Sequence, residues 1–265
     1  MAEPQAITPN KRLSAEQMLF LLCLLALTVL AWLMLLRMAR DMSAPGGMAD
    51  AAMAGMVMPW SLADALLMFA MWGVMMLGMM LPSALPMLLI YQQMLRKRMP
   101  SPQRHLALLL FCCAYGLVWV GFALGATALQ WAFEQLALLS PAMRSSSTAL
   151  GVGLLLVAGV YQWLPSKAAC LEHCRGPLHF LLSYWRPDVL GGWRMGLAHG
   201  AYCLGCCWAL MGLLFVVGVM NLFWVAVISA FILLEKNLPQ ELWFSRICGG
   251  LLIGWGLWLL GNGLR

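Results

Sequence analysis

Charge is what this sequence has least of. Asp, Glu, Lys and Arg make up 10% of its 265 residues, whereas a soluble domain carries about 25%. That excludes an ordinary water-soluble globule. Histidine is scarce as well, with 4 in the chain. A haem protein or a metal-dependent membrane enzyme, which draws on histidine pairs and carboxylates, is therefore a poor fit, and no Cys-x-x-Cys-His attachment motif is present. Neither a phosphate-cradling glycine loop nor the phosphorylation motif of a pumping ATPase appears. Any transport would be passive, coupled to a partner, or driven by the affinity of an acceptor. Carboxylates suited to a proton relay are few: Glu134 near the outer end of one apolar block and Glu235 near the inner end of another. Glu235 stands beside Lys236 and reads as an edge pair. The net charge of +6 has no aromatic-basic patch beside it, so nucleic acid is not an expected partner.

What the chain has instead is apolar length. It is 63% hydrophobic, with a mean hydropathy of +0.84. The apolar residues come in blocks of about 20, the length of helix that crosses roughly 30 Å of hydrocarbon. The expected fold class is all-α: a polytopic helical membrane protein of about seven transmembrane helices, six to seven, with the lipid bilayer as its first partner. The expected spans lie near Met18–Leu36, Ala65–Tyr91, Leu106–Phe133, Thr148–Leu164, Leu197–Val217, Val219–Leu238 and Ile247–Leu264. The apolar block from Leu197 to Leu234 is too long for one helix, and Gly218–Asn221 is the expected turn. The first block is longer than a signal-peptide core and lacks a small-residue cleavage site, so it reads as a retained anchor.

Basic residues orient the chain. With a cytoplasmic N-terminus, Lys11, Arg12, Arg96, Lys97, Arg98, Arg104, Lys167, Arg175, Arg186, Arg194, Lys236 and Arg246 fall inside, against Arg37, Arg40, Arg144 and Arg265 outside. The expected organisation is a cytoplasmic tail over 1–17 and one helical transmembrane domain over 18–265. That domain carries a Met-rich outer loop over 41–61 and a Cys/His-bearing cytoplasmic loop over 165–196. Gly121-x-x-x-Gly125 and Gly250-x-x-x-Gly254 permit close helix contact, read here as contact within the chain; the oligomeric state stays open.

Sulfur sorts by side in this scheme. All 9 cysteines fall in the cytoplasmic half, where thiols stay reduced, so a disulfide framework is not the natural reading. Many of the 22 methionines gather on the outer side: Met42, Met48, Met53, Met56 and Met58 in the loop, then Met68, Met71, Met75 and Met79 on one helical face. Thioether and thiolate both suit Cu(I), and only the thiol risks oxidation to a disulfide on an oxidising face. A path for a soft metal would place methionine outside and cysteine inside. Methionine is also a flexible packing residue, and a membrane helix can carry such a stripe for that reason alone. Pro82 and Pro86 follow the stripe and free backbone carbonyls there.

Two Cys/His clusters stand on the inner side. In "HGAYCLGCCW", His199, Cys203 and Cys206 are spaced i, i+4, i+7 on a helix, with Cys207 beside them, a ligand set for Cu(I) or zinc. Gly196, Gly200 and Gly205 leave room for a neighbour to approach. In "SKAACLEHCRGP", Cys170, His173 and Cys174 share a face of a short expected helix. The clusters can form one metal site or two. Cys23, Cys112, Cys113 and Cys248 read as packing cysteines, and Asp64 stands where it can attract a cation.

"KAACLEHCRGPL", "MGLAHGAYCLGCCWALM" and "MWGVMMLGMMLPS" resemble a bacterial family described as predicted metal-binding integral membrane proteins, a domain of unknown function. The resemblance runs roughly from Leu62 to Leu238. It implies metal binding and copper handling in a multi-pass protein of the bacterial inner membrane. The expected function is uptake, delivery or retention of Cu(I), with a copper chaperone or copper protein as partner and no catalytic residue. Two alternatives stay open: a thiol-redox enzyme built on Cys203-x-x-Cys206, and a membrane protein held together by structural zinc.

Overall fold

The computed structural model describes residues 15–43, 60–140, 143–238 and 242–263. The expected tail over 1–17 lies almost wholly outside these residues, as do the loop methionines Met48, Met53, Met56 and Met58. Among the described residues the regular elements are all helices, with one isolated bridge between Leu139 and Ser145. In chain order they are α1 Ala15–Ser43, α2 Leu62–Arg98, α3 Ser101–Gln135, α4 Thr148–Tyr161, α5 Pro165–Arg175, α6 Pro177–Tyr184, α7 Val189–Gly212, α8 Leu214–Val217, α9 Leu222–Asn237 and α10 Leu242–Gly263.

Five segments are long and apolar enough to cross a membrane: Ala15–Asp41, Leu62–Arg98, Ser101–Gln135, Val189–Val217 and Trp243–Asn262. A sixth results if α4 and α5 count as one span bent by 64°. The protein is accordingly an all-helical chain with five to six candidate spans. The helices α4 and α9 occupy the positions of the fourth and sixth expected spans. At 14 and 16 residues they reach about 21 and 24 Å, less than the roughly 30 Å of hydrocarbon.

Local chemistry sets the boundaries. Ser61 caps α2: its hydroxyl accepts from the Asp64 amide at 3.2 Å, and the Asp64 carboxylate accepts from the Ser61 amide at 2.9 Å. The helix then runs unbroken through Pro82 and Pro86, with the Ser83 hydroxyl donating back to the Met80 carbonyl at 2.9 Å. The expected turn is present. Gly218 sits at φ 99° after α8, a conformation that favours glycine, and the Asn221 amide returns to its carbonyl at 3.0 Å.

The ends of the bundle are tied by charge. Arg104, at the start of α3, pairs with Glu16 at the start of α1 at 2.6 Å. Arg98, at the end of α2, lies 4.8 Å over the Trp185 ring. These contacts gather the start of α1, the end of α2 and the start of α3 at one basic end. The Met68 end of α2 lies at the other.

Close packing falls on the glycines expected beside the cysteines, Gly196, Gly200 and Gly205, and not on the Gly-x-x-x-Gly pairs. A side chain at Gly121, Gly125, Gly250 or Gly254 would meet nothing within 4 Å. Those two Gly-x-x-x-Gly pairs therefore do not mediate helix contact within the described chain, which corrects the sequence expectation. The contact falls instead on Gly192, Gly196 and Gly200 of α7. A methyl group there would overlap the Ala107 carbonyl, the Phe111 carbonyl and, at 2.8 Å, the Val118 side chain of α3. Gly159 of α4 and Gly249 of α10 make a second approach, each within 3 Å of the other's carbonyl once a side chain is added. Leu19, Leu66, Leu109, Leu124, Leu251 and Trp258 point outward, the distribution expected of a chain whose outer solvent is lipid.

Candidate metal centre

The three-glycine face of α7 places the rest of that helix. Because α7 and α3 touch backbone to backbone, Tyr115 reaches across and its hydroxyl meets the Cys203 sulfur at 3.2 Å. Gly205, one turn further, admits α5: a methyl group at Gly205 would stand 2.8 Å from the Cys170 sulfur. The Tyr161 hydroxyl donates to the Gly205 carbonyl at 2.5 Å and holds the end of α4 against the same turn. Since α7 begins at Val189 rather than near Leu197, the cysteines lie past its middle, with Cys203 about 21 Å from its first residue. Hydropathy alone puts them in its opening turns.

Four thiols meet in this space. Cys203, Cys206 and Cys207 are each 1% exposed. The thiols of Cys206 and Cys207 both donate to the Cys203 carbonyl at 3.0 Å. Cys174 of α5 lies within electrostatic reach of Cys206, as does Cys207. Of the seven residues proposed from sequence, the structure therefore unites Cys174, Cys203, Cys206 and Cys207. Cys170 lies alongside, its sulfur over Gly205.

The two histidines pack against aromatic rings. The His173 ring stacks on Tyr202 at 4.0 Å with an interplanar angle of 7°, and its Nδ1 faces the Ala169 carbonyl at 2.8 Å. His199 is 3% exposed and sits in an aromatic sleeve, stacked on Tyr115 and Phe111 with Phe180 edge-on. Among the described residues its Nδ1 has no hydrogen-bond partner. Among the described residues no three His, Cys, Asp or Glu side chains stand ready around one metal position. The thiols of Cys206 and Cys207 engage the Cys203 carbonyl.

Lysine completes the centre, and sequence reasoning missed it. The Lys236 ammonium lies 2.9 Å from the Cys203 sulfur and 3.1 Å from the Ser83 hydroxyl. Its neighbour Glu235 turns the other way, pairing with Lys167 at 2.5 Å and accepting from Ser245. The side chains of Lys167 and Glu235 are 2% and 1% exposed. Glu235 and Lys236 are therefore two members of different buried networks, which overturns the reading of an edge pair. The available signal was an ionisable dipeptide inside an apolar run, which in a membrane helix marks a functional position.

The methionine column leads to this centre. Met68, Met71, Met75 and Met79 are buried on the inward face of α2, as are Met76 and Met80. At the far end the Gln130 amide donates to the Met68 sulfur at 3.6 Å and to Glu134 at 3.0 Å. Trp60 donates to the other Glu134 oxygen at 2.7 Å. At the near end the Ser83 hydroxyl touches the Met80 sulfur at 4.0 Å and accepts from Lys236. Gln130 thus ties Met68 to Glu134 at one end of the row, and Ser83 links Met80 to Lys236 and Cys203 at the other. The carboxylate at the column's mouth is Glu134. Asp64 also accepts from the Ser61 hydroxyl at 2.7 Å and is occupied in capping its own helix.

Residues 69–259 match a protein family, PpoB2, whose description is copper chaperone. The chain belongs to this copper chaperone family. The match takes in most of the chain, including the methionine column below Met68, all four clustered thiols and Lys236. Comparison with curated proteins and with solved structures gives no match. Copper handling is also what the resemblance of the Cys/His and Met motifs implied. The donor chemistry fits: thioether and thiol are the soft ligands that favour Cu(I) over harder divalent ions.

Proposed function

We propose that the protein is a multi-pass copper chaperone of the bacterial inner membrane. It receives Cu(I) at the methionine end and holds it for transfer at the thiol cluster. The observation that carries this reading is the junction of the two sulfur systems: Met80 contacts Ser83, Ser83 contacts Lys236, and Lys236 contacts Cys203. Met68, Met71, Met75 and Met79 form the path. Cys174, Cys203, Cys206 and Cys207 form the acceptor, with Cys170 as the adjoining sulfur. His173 and His199 shape the surrounding aromatic wall.

In this reading the N-terminus is cytoplasmic, the basic end of the bundle faces the cytoplasm, and the loop over 41–61 faces outward. The short helices α4 and α9 complete a seven-helix domain over 18–265, with 165–196 as the cytoplasmic, Cys/His-bearing loop. Neighbouring thioethers exchange a soft cation without a single deep trap, and thiols hold it more tightly at the end. That gradient sets the direction towards the cluster and then to a copper-protein partner.

The test is anaerobic purification in detergent, Cu(I) addition under a competing chelator, and elemental analysis. Wild type should retain about one copper per chain. The variant Cys203→Ser/Cys206→Ser/Cys207→Ser should retain none while remaining inserted. His199→Phe, which keeps a ring in the aromatic sleeve, should retain copper. Full retention by the triple variant would refute the acceptor site, and stoichiometric zinc with no copper would refute the metal.

A further inference from the structure

Lys236 presents a charge problem. It is 7% exposed, and the carboxylate next to it in sequence is committed to Lys167 and Ser245. Among the described residues its ammonium makes no ion pair with a carboxylate; its polar contacts are the Cys203 sulfur and the Ser83 hydroxyl. The sulfurs of Cys174, Cys206 and Cys207 also lie within its electrostatic reach. A cation buried in a low-dielectric interior needs a negative partner, because the desolvation cost of a lone charge is several kcal/mol. Among the described residues, the ionisable group that the ammonium touches is the Cys203 sulfur.

We infer that Lys236 is the fixed counter-cation of the copper-loaded cluster, the charge that makes a two-thiolate Cu(I) complex electroneutral inside the protein. The inference rests on the thiol cluster being the copper-holding site. The balance is simple. Cu(I) carries one positive charge; the Cys203 sulfur that accepts from the ammonium supplies one thiolate, and a second thiol forms its sulfur–copper bond as its S–H bond breaks and that one proton leaves to water. The complex carries one negative charge, and the ammonium carries one positive. No electron moves. Without the ammonium, the same complex would sit as an uncompensated anion among Tyr115, Ser83 and apolar side chains. Lys236 is thus a positioning residue: it need not touch copper, and it decides how well a pair of thiolates can hold it.

The Ser83 contact gives the ammonium a second anchor on α2. When copper draws the Cys203 sulfur into its coordination, the ammonium stays at the site through that hydroxyl. The same serine touches the last thioether of the column, so the counter-charge stands where the methionine run meets the thiols. A cation leaving Met80 therefore moves into a region whose charge becomes balanced again only once the second thiolate has formed.

The experiment measures Cu(I) affinity by anaerobic competition with a chromophoric Cu(I) chelator in detergent-solubilised full-length protein. Lys236→Gln keeps a hydrogen-bond donor of similar reach but removes the charge; Lys236→Arg keeps the charge. Lys236→Gln should still bind copper at wild-type stoichiometry, with affinity lower by roughly 100-fold. Lys236→Arg should recover most of that loss, which a purely structural role would not predict. Lys236→Met should match Lys236→Gln, separating charge from hydrogen bonding. If both neutral variants bind as tightly as wild type or tighter, the inference is overturned, and tighter binding would show that the ammonium competes with copper for Cys203. If wild type itself binds no Cu(I), the acceptor reading falls and this one with it. Wild-type binding with unaltered neutral variants sinks this inference alone.

Discussion

Replacing Gly196 by alanine tests the placement of the whole centre. An added Cβ would overlap the Phe111 carbonyl and come within 2.9 Å of both Phe111 Cα and Ala114 Cβ. Two of those three atoms belong to the α3 backbone and cannot rotate away, so α7 and α3 must separate. Overpacking a well-filled core costs about 1–3 kcal/mol, and a backbone clash belongs at the upper end. Alanine returns up to about 1 kcal/mol through its better helix propensity. The net expectation is a loss of about 2 kcal/mol. The separation also lengthens the 3.2 Å contact between Tyr115 and Cys203, so copper retention should fall with stability. Gly121→Ala is the matched control, since nothing lies within 4 Å of that position; it should be neutral or slightly stabilising. The assay is thermal unfolding in detergent, followed by intrinsic fluorescence, together with bound copper per chain. If Gly196→Ala melts with Gly121→Ala and holds the same copper, the close approach of α7 to α3 is wrong.

Two further outcomes follow from the buried networks and the methionine column. Glu235→Gln leaves the Lys167 ammonium without its countercharge and should cost about 3–5 kcal/mol, whereas Lys167→Met/Glu235→Leu together should recover most of it. Unfolding midpoints of the three proteins check this, and a single variant as stable as wild type would show that the pair is not buried. Met75→Leu/Met79→Leu conserves volume and should change stability by less than about 1.5 kcal/mol. In proteoliposomes it should nevertheless slow Cu(I) loading of the thiols while leaving the final copper content unchanged. Unaltered loading would reduce the column to packing.

The methionine stripe and the 203–207 cysteines were legible because both depend on helical period. Residues 3, 4 and 7 apart share a face whatever surrounds the helix, so Met68, Met71, Met75 and Met79 were identifiable as one row before any neighbour was known. The same rule put His199 on the face of Cys203, and the neighbours of that face lay beyond its reach. Spacing says which side chains project together along a helix, but not which neighbouring helix meets each of them. Phe111, Tyr115 and Phe180 enclose His199, while Cys174 arrives from α5 beside Cys206. The glycines show the same limit. Gly121 and Gly125 have the right spacing for a helix contact but meet no neighbour within 4 Å among the described residues, while Gly196 and Gly200, expected to admit a neighbour, and Gly192, which spacing did not single out, lie on the face that α3 occupies.

Composition and local pattern by themselves determined that the chain is helical and apolar enough to cross a membrane several times. They also determined that it turns at Gly218 and that soft sulfur donors concentrate along α2 and α7. These follow from hydrophobic length, backbone φ and side-chain period, which are local quantities. Only the tertiary structure decided which thiols share a space, that Glu235 and Lys236 part into two networks, and that Ser83 links the last buried thioether to a buried ammonium. Those outcomes depend on long-range desolvation. A charge in an apolar interior must find a partner, and the partner can lie anywhere in the chain that packing brings near. For Lys236 that partner is Cys203, 33 residues away in sequence and 2.9 Å away in space.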